Sequence, residues 1–246
     1  MILTSPFRLR KKDLLWIAPL GAATGLAFAF DQDALSHVST DPGHVSAFRR
    51  ASNLTGIYVP LATIGGVWLT GTIKHDDHLR DTGFVAGQAL INTLLFTEFL
   101  KLGTDRARPK ASGAAVEPAE AGDFWPDGKH YPGGDSFPSG HSAIAFAFAH
   151  VLADEYPGWK VKLAAYSLAA ATAFGRVGGR EHFPSDVLVG GAIGYLIGGY
   201  TYNHHSASRN HLTVTPRIGH KTAGLSLSFS RSPERDTSAD TALPAH

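Results

Sequence analysis

The feature that most constrains the fold is a series of apolar stretches of helical length, separated by more polar segments. Leu14–Phe30 and Ala51–Ile73 contain no charged residue, and Gln88, Asn92 and Glu98 interrupt the third stretch only lightly. Uninterrupted stretches of this length exceed ordinary strands and favour helices. We therefore predict an all-α bundle of about six helices, the remaining four being Gly83–Leu102, Gly140–Ala153, Val161–Phe174 and Val187–Tyr202.

The last predicted helix carries Gly190, Gly194 and Gly198, spaced four residues apart. Glycines at this spacing lie on one face of a helix and let a neighbouring backbone approach closely. We expect one other helix to pack tightly against this face.

Composition limits the classes of protein that the chain can belong to. A length of 246 residues allows one domain with a sizeable core, and a net charge of +1 gives no basic surface for nucleic acid. The absence of cysteine excludes disulfides and thiolate chemistry. The mean hydropathy of −0.04 is modest for a membrane protein. The helices therefore either cross a membrane or form a soluble bundle, and we favour the membrane on the length of the apolar stretches.

The character of the chain changes after the helical part, for which we predict residues 1–206. Residues 207–231 contain two period-two segments around Leu212 and Leu225, separated by a turn near Gly219, which predict a β-hairpin. Residues 232–246 are polar and predict a disordered tail.

A long Gly/Pro/Ala segment, Ala111–Asp135, precedes the fourth helix. Loops of this length are often functional, so Phe124, Trp125 and Tyr131 could contact a substrate as a lid. The simpler interpretation, which we favour, is a packed loop.

Three short strings contain most of the chemically active residues. The first runs from Lys101 to Pro109, the second is Pro138-Ser-Gly-His141, and the third runs from Arg176 to Asp186. Together they supply three cations, two imidazoles and a carboxylate. Positioned cations and an in-line nucleophile are what a metal-free site needs to transfer a phosphoryl group.

The three strings resemble the signature of the type 2 phosphatidic acid phosphatase superfamily (PAP2), which reads K-x6-R-P, P-S-G-H and S-R-x5-H-x3-D. Bacterial nonspecific acid phosphatases and vanadium haloperoxidases share this signature. The resemblance covers residues 101–186 and, through the surrounding helices, 14–203. One position departs from it: Gly175 stands where the third motif usually opens with Ser, which puts one hydrogen bond around the site in doubt.

The resemblance implies a phosphate cradle. Lys101, Arg108 and Arg176 would hold the phosphate oxygens, since guanidinium and ammonium groups suit this contact. Ser139 and Gly140, at the predicted start of the fourth helix, would add backbone N–H donors.

The resemblance also implies the catalytic groups. His182 would be the nucleophile and form a phosphohistidine, and Asp186 would accept the second ring N–H and stabilise the imidazolium. His141 would protonate the leaving group and then take a proton from water. Arg180 and Glu181 lie outside the signature, and we expect them to be rim charges.

No cofactor and no metal is expected. His75-Asp76-Asp77-His78 has the residue types of a metal site, but we interpret it as a charged turn between helices. His204, His205, His211 and His220 are scattered near the tail, and we assign them no metal role.

The leading interpretation is a metal-independent phosphatase that hydrolyses a phosphate monoester or diphosphate of a lipid. The alternatives are a vanadium-dependent haloperoxidase, a soluble nonspecific acid phosphatase, and a scaffold without activity. Phosphatidate, phosphatidylglycerophosphate, polyprenyl diphosphate, lipid A phosphate and soluble monoesters all fit the signature, and the sequence assigns no oligomeric state.

The distribution of charge predicts an orientation in the membrane. The basic cluster at residues 8–12 places the N-terminus in the cytoplasm. If six helices cross, the loops that carry all three motifs then lie on the outer side. We therefore expect a bacterial-type inner-membrane protein whose site faces the periplasm, with a soluble periplasmic protein as the alternative.

Overall fold

The computed structural model describes residues 14–109, 122–124, 135–207, 210–219 and 222–231. Within these residues a π-helical turn, Leu54–Tyr58, joins two α-helices into one continuous helix, Pro42–Lys74. The described helical part thus consists of six continuous helices, which confirms the predicted all-α bundle. Its α-helices are α1 Leu14–Ser36, α2 Pro42–Asn53, α3 Val59–Lys74, α4 Asp77–Thr104, α5 Gly140–Glu155, α6 Trp159–Gly178 and α7 Pro184–Ala207.

The first two helices extend further than predicted. α1 continues through Asp31, because this carboxylate is buried and paired instead of facing solvent. α2 begins at Pro42, well before the predicted Ala51, and the side chain of Asp41 caps it by accepting from the His44 N–H at 2.9 Å. Arg49 and Arg50 lie in this part of the helix, so the uncharged stretch that predicted the helix begins only after them.

The charged turn at 75–78 is a helix junction, as interpreted. His75 ends α3 in the left-handed conformation, and Asp76 caps α4 by accepting from the Leu79 N–H at 3.1 Å. Within the described ranges, no group of three or more His, Asp or Glu side chains could hold a metal ion.

α7 packs directly on the backbone of α5. A Cβ atom at any of the three glycines spaced four apart would overlap a backbone oxygen of α5. The contacted oxygens are also four residues apart and follow the same order, so the two helices run parallel and begin at the same end of the bundle. The predicted close approach is confirmed; the pairs are Gly190 with Ser139, Gly194 with Ala143, and Gly198 with Ala147.

Small side chains fill the interior, and large apolar ones lie outside. Ala89, Ala143 and Ala147 are fully buried. In contrast, α3 and α4 expose a broad apolar surface, and the helices Pro42–Lys74 and Asp77–Thr104 are each long and apolar enough to cross a membrane. The exposed side chains on these two helices include Leu61, Leu69, Ile73, Phe84, Ile91, Leu95 and Phe99.

Two antiparallel strands follow the helices, β1 Asn210–Gly219 and β2 Thr222–Arg231. Their register pairs Asn210 with Arg231 and Gly219 with Thr222, which is the predicted hairpin. The chain divides into two compact units, 1–202 and 203–246. The predicted tail, 232–246, lies outside the described residues, and the domain boundaries stay a prediction.

Candidate active site

The three motifs meet at one end of the bundle. α4 and α6 end there with Lys101 and Arg176 in their last turns, and α5 and α7 begin there. Arg108 and Arg176 donate to the same oxygen, Oε2 of Glu181, at 2.6 and 3.2 Å. The first and third motifs are therefore in direct contact through one carboxylate.

The second motif is joined to the other two by its backbone. The Ser139 N–H donates to the carbonyl of Asp186 at 3.0 Å, and the Ser139 side chain caps α5 by accepting from the Ser142 N–H. Lys101 Nζ lies 3.4 Å from the point where a Cβ on Gly140 would be. A residue without a side chain at 140 thus leaves room for the ammonium group above the start of α5.

His182 is held differently from our expectation. Its ring is 1% exposed, and Nδ1 donates to the backbone oxygen of Ser136 at 2.7 Å. Asp186 Oδ2 lies 3.7 Å from the same nitrogen, which is beyond a hydrogen bond. The predicted direct bond to Asp186 is therefore replaced by a bond to Ser136, and with Nδ1 protonated the ring presents its lone pair at Nε2.

The physical reason is that other donors already occupy both oxygens of Asp186. Oδ2 accepts from the Ser136 hydroxyl at 2.6 Å and from the Phe183 N–H at 2.8 Å, while Oδ1 accepts from Arg106. Asp186 remains linked to the histidine through Ser136, because Asp186 accepts from the Ser136 hydroxyl and the Ser136 carbonyl accepts from the ring. That it orients His182 stays a prediction, now by an indirect route.

His141 projects from the first turn of α5 toward the π-helical turn. A Cβ on Gly56 would lie 3.2 Å from the His141 Cβ, so the two elements approach closely at this point. Burial and the charges of the nearby cations lower the pKa of His141 to about 2. Burial, followed by the charges of Arg176, Arg108 and Lys101, likewise lowers the pKa of His182 well below its usual value. Both shifts favour the neutral form of the ring.

Carboxylate side chains form ion pairs with the arginines of the candidate phosphate cradle. Arg108 pairs with Asp135, donating from Nη2 to Oδ2 at 2.8 Å, as well as with Glu181. Burial favours the neutral forms, but the pairing outweighs it: the pKa of Arg108 is raised and the pKa of Asp135 is lowered. The cradle is therefore charged and already held by anionic groups.

Glu181 was expected to be a rim charge, and this was wrong. Its side chain is 12% exposed and forms ion pairs with Arg49, Arg108 and Arg176. Three guanidinium groups that converge on a single carboxylate would repel one another without it. Arg180, the other expected rim charge, donates to the backbone carbonyls at positions 35 and 38.

Sequence reasoning missed the contribution of α2. Asn53 accepts from Arg176 Nη1 at 2.8 Å, and Arg49 pairs with Glu181. These residues lie where no helix was predicted or at its very start. Asp135 and Glu181 could have been noticed, because each stands close before a motif residue in the sequence.

The unusual Gly175 has a steric explanation. A Cβ at this position would lie 2.8 Å from the Cβ of Ser52, and the backbone oxygen of Phe48 is 3.4 Å away. α2 and α6 therefore approach too closely for a serine at 175, and the Ser52 side chain fills that space.

Phe124 packs as part of the structure. Its ring lies 5.9 Å from Phe28 and from Phe137, and 4.9 Å from the guanidinium carbon of Arg106. The favoured interpretation of a packed loop holds for this residue. Trp125 and Tyr131, the other two lid candidates, lie outside the described residues.

At least one donor of the site is available to bind an anion. Arg176 Nε is buried and has no hydrogen-bond partner among the described residues. The charges of Lys101, Arg108 and Arg176 lower the pKa of both His141 and His182, so these cations lie near both rings. Such an arrangement can bind a phosphoryl group and offer it a neutral ring nitrogen.

Comparison with known proteins agrees with this geometry. The PAP2 superfamily profile matches residues 83–209, just over half of the chain. The chain belongs to the PAP2 superfamily. The matched range runs from α4 to the end of α7 and so includes every motif residue.

Two curated proteins are similar over parts of the chain. The Lipid A 1-phosphatase of Porphyromonas gingivalis is 42% identical over 72 residues, which is 28% of this chain and 16% of that protein. A PA-phosphatase related-family protein of Dictyostelium discoideum is 29% identical over 164 residues, covering 61% of this chain and 57% of that protein. The chain thus spans little more than half of the second relative and a small part of the first.

Two solved structures are similar to parts of the chain. One is the transmembrane PAP2 type phosphatidylglycerolphosphate phosphatase of Bacillus subtilis, with a TM-score of 0.54 and 21% identity over 80% of this chain and 95% of that chain. The other is LpxE of Aquifex aeolicus, with a TM-score of 0.45 and 20% identity over 73% of this chain and 93% of that chain. The first shows that the fold of this chain is that of a PAP2 protein.

Proposed function

We propose that the protein is a metal-independent phosphatase that hydrolyses lipid phosphate monoesters or diphosphates through a phosphohistidine. The observation that carries the proposal is the convergence of the three motifs at one end of the bundle. Arg108 and Arg176 share Glu181, the residue before His182, and Lys101 Nζ lies 3.4 Å from the Cβ position of Gly140, the residue before His141. Membership of the PAP2 superfamily supports the reaction class.

In the first step the phosphate replaces the carboxylates of Asp135 and Glu181 at the arginine N–H groups. His182 Nε2 attacks phosphorus, so a P–N bond forms while the bond to the leaving oxygen breaks. Ser136 continues to accept the Nδ1–H, which keeps the ring oriented as it becomes cationic. The bound dianion offsets the surrounding cations, which favours protonation of His141, and this ring gives its proton to the leaving oxygen.

In the second step water cleaves the intermediate. His141 takes a proton from the water as its oxygen attacks phosphorus. The P–N bond breaks, His182 becomes neutral again, and inorganic phosphate leaves. Lys101, Arg108 and Arg176 carry the negative charge of the transferring group in both steps.

The test uses the full-length protein in detergent with an aryl phosphate. We expect phosphate release that persists in EDTA, and an acid-labile, alkali-stable phosphoenzyme when labelled substrate is quenched within one turnover. Loss of activity in EDTA with rescue by Mg²⁺ would contradict the metal-independent mechanism. An acid-stable phosphoenzyme would contradict phosphohistidine.

An apolar groove beside the site supports a lipid substrate. This groove has a volume of about 610 Å³ and lies between α1, α5, α6 and α7, and a second, smaller groove of about 410 Å³ lies along α6. The lining of the larger groove includes Val177, the residue after Arg176, and Pro184, two residues after His182. The lining continues along α7 to Tyr195. From 184 to 195 a helix rises about 16 Å, close to half of the ~30 Å hydrocarbon core. One acyl or isoprenyl chain of a lipid whose phosphate is in the cradle would fit this groove.

Two matched tryptophan substitutions on α6 test the groove. Ala173 lines the larger groove, and Ala164 lines the smaller one, which extends toward the opposite end of the helix. We expect Ala173→Trp to raise KM for a long-chain lipid phosphate while leaving the aryl phosphate unaffected, and Ala164→Trp to change neither. Equal effects of both variants on both substrates would argue against this groove.

Membrane insertion and sidedness can be measured separately. We expect the protein to stay in the pellet after a carbonate wash. Because the chain has no cysteine, single cysteines give a clean topology signal. Asp33→Cys, near the site end of α1, should react with an impermeant maleimide in intact cells, whereas Asp77→Cys, at the other end, should react only after lysis. The reverse pattern would place the site in the cytoplasm.

A further inference from the structure

Arg106 stands two residues before Arg108 but is not part of the motif signature. It is 3% exposed, and its guanidinium lies within 5.0 Å of the ring centres of Phe28, Phe124 and Phe183. A cation enclosed in this way has lost its hydration, so the groups around it must compensate its charge.

Every nitrogen of the Arg106 guanidinium has a partner. Nε donates to the carbonyl of Gly122 at 3.2 Å, and Nη2 donates to Asp31 Oδ2 at 2.8 Å. Nη1 donates to the Ser185 hydroxyl at 2.8 Å and to Asp186 Oδ1. Because the planar fork binds in several directions at once, it fixes the first turn of α7 against α1.

Asp31 completes this arrangement from α1. It is 2% exposed and accepts from the Ser185 N–H at 2.9 Å, from the Ser185 hydroxyl and from Arg106. Two buried carboxylates therefore share one guanidinium. This layer contains more carboxylate than guanidinium groups, which suits a neighbouring ring that becomes cationic when phosphorylated.

The buried layer reaches the nucleophile through Ser136. Arg106 binds Asp186 Oδ1, Asp186 Oδ2 accepts from the Ser136 hydroxyl, and the Ser136 carbonyl accepts the His182 Nδ1–H. Ser136 is itself anchored, since its N–H donates to the backbone oxygen of Arg106 at 3.0 Å. This chain of contacts is short and wholly buried.

We propose that Arg106, held by Asp31, is a positioning residue that keeps Asp186 and Ser136 in place and thereby aims His182 at phosphorus. The inference rests on the proposed phosphatase function and adds two residues that no motif identifies. Arg106 has no contact with the cradle carboxylates Asp135 and Glu181 in the described contacts, so its effect should appear in the chemical step and not in phosphate binding.

The pH dependence follows from the groups that face Asp186, which are Arg106, Ser136, the Phe183 N–H and His182. Burial raises the pKa of this carboxyl, while Arg106 and the two other donors work against the rise. Removal of the cation should let the pKa rise further. Asp186 would then be protonated at a higher pH, and the acidic limb of kcat would move to higher pH.

The experiment compares Arg106→Lys and Arg106→Met with wild type on an aryl phosphate. We expect kcat to fall by about 100-fold in both variants, since a small misplacement of a reacting group has effects of this size. Inhibition by inorganic phosphate, which reports the cradle, should be unchanged. The acidic limb of kcat should move to higher pH in Arg106→Met and stay in place in Arg106→Lys.

Milder variants cover the case in which Arg106→Met fails to fold. Ser136→Ala removes the hydroxyl but keeps the carbonyl, and Asp31→Asn weakens the anchor of the guanidinium. Both should lower kcat with little change in phosphate inhibition. Asp33→Asn is the matched control, because this residue lies on the same helix two positions away and is exposed; it should behave as wild type.

The outcomes separate the two hypotheses. If wild type releases no phosphate from any substrate, the proposed function fails and this inference fails with it. If wild type is active and Arg106→Lys, Ser136→Ala and Asp31→Asn keep its kcat, only the positioning role is overturned. A loss of phosphate inhibition parallel to the loss of kcat would also overturn it, because a merely structural defect would affect both.

Discussion

Arg106 and Arg108 are separated by one residue but differ in burial and in the carboxylates that they bind. Both bind carboxylates, but the side chain of Arg106 is 4% exposed and that of Arg108 is 24% exposed. Ala107, the residue between them, is fully buried, and the two arginines bind different carboxylates. Arg106 belongs to a closed layer that reaches His182 through Asp186 and Ser136, whereas Arg108 pairs with the partly exposed Asp135 and Glu181.

The difference fits two proposed roles for arginine, which are phosphate binding by Arg108 and positioning of His182 by Arg106. The partners of Arg106 are buried Asp31 and Asp186, which substrate cannot reach. The partners of Arg108, Asp135 and Glu181, are partly exposed and can give way to phosphate. Bonds that must persist are enclosed, and bonds that must exchange stay accessible to water.

The largest loss of activity should come from a substitution of His182, which both the Arg106 contacts and the cradle arginines are proposed to serve. His182→Ala removes the proposed nucleophile, and we expect kcat for an aryl phosphate to fall by at least about 1,000-fold. His44→Ala, at an exposed histidine of α2, is the control and should retain full activity. Activity of His182→Ala near the wild-type level would contradict the proposal that His182 is the nucleophile.

Arg108→Met should separate the cradle from the buried layer. Loss of a charged donor to phosphate costs about 1.5–3 kcal/mol, so kcat/KM should fall by about 10- to 100-fold. In contrast to the Arg106 variants, inhibition by inorganic phosphate should weaken in parallel. If phosphate inhibition were unchanged, Arg108 would not belong to the cradle.

His141→Ala tests the proton transfer at the rim of the cradle. An alkyl phosphate has a poor leaving group and needs the acid, so its kcat should fall by about 100-fold or more. An activated aryl phosphate should lose much less. Equal losses on both substrates would contradict the role of His141 as a general acid.

Glu181→Gln tests whether the carboxylates of the cradle compete with substrate. The neutral amide keeps the size of the side chain but releases Arg108 and Arg176 from an ion pair. Inhibition by inorganic phosphate should strengthen by up to about tenfold, whereas Asp77→Asn at an exposed position should have no effect. Weaker phosphate inhibition would mean that Glu181 organises the arginines more than it competes with phosphate.

The smallest effect concerns packing alone. Gly175→Ser restores the residue usual in the signature but crowds Ser52, and we expect it to lower stability by about 1–3 kcal/mol. Ser52→Gly in the same chain should recover part of the loss in a thermal unfolding assay. Additive destabilisation in the double variant would show that the two positions do not share this space.

The sequence predicted much of the fold because helix formation here follows local patterns. The Ser139 cap located the start of α5, and the glycines spaced four apart predicted the close contact of α7. The start of α2 was missed because the prediction followed uncharged stretches, and Arg49 and Arg50 precede the second of these stretches. Asp31 was taken as a helix end because its partners, Arg106 and Ser185, are distant in the chain.

The sequence by itself determined the family, the helical architecture and the set of groups available for phosphoryl transfer, because each of these is written in short motifs and local periodicity. Only the tertiary structure decided that Ser136 and not Asp186 holds His182, that Glu181 joins three arginines, and that Arg106 lies beneath the site. The reason is that a hydrogen bond depends on which atoms meet and on which are already occupied. That competition among donors and acceptors from distant parts of the chain exists only after the helices have packed.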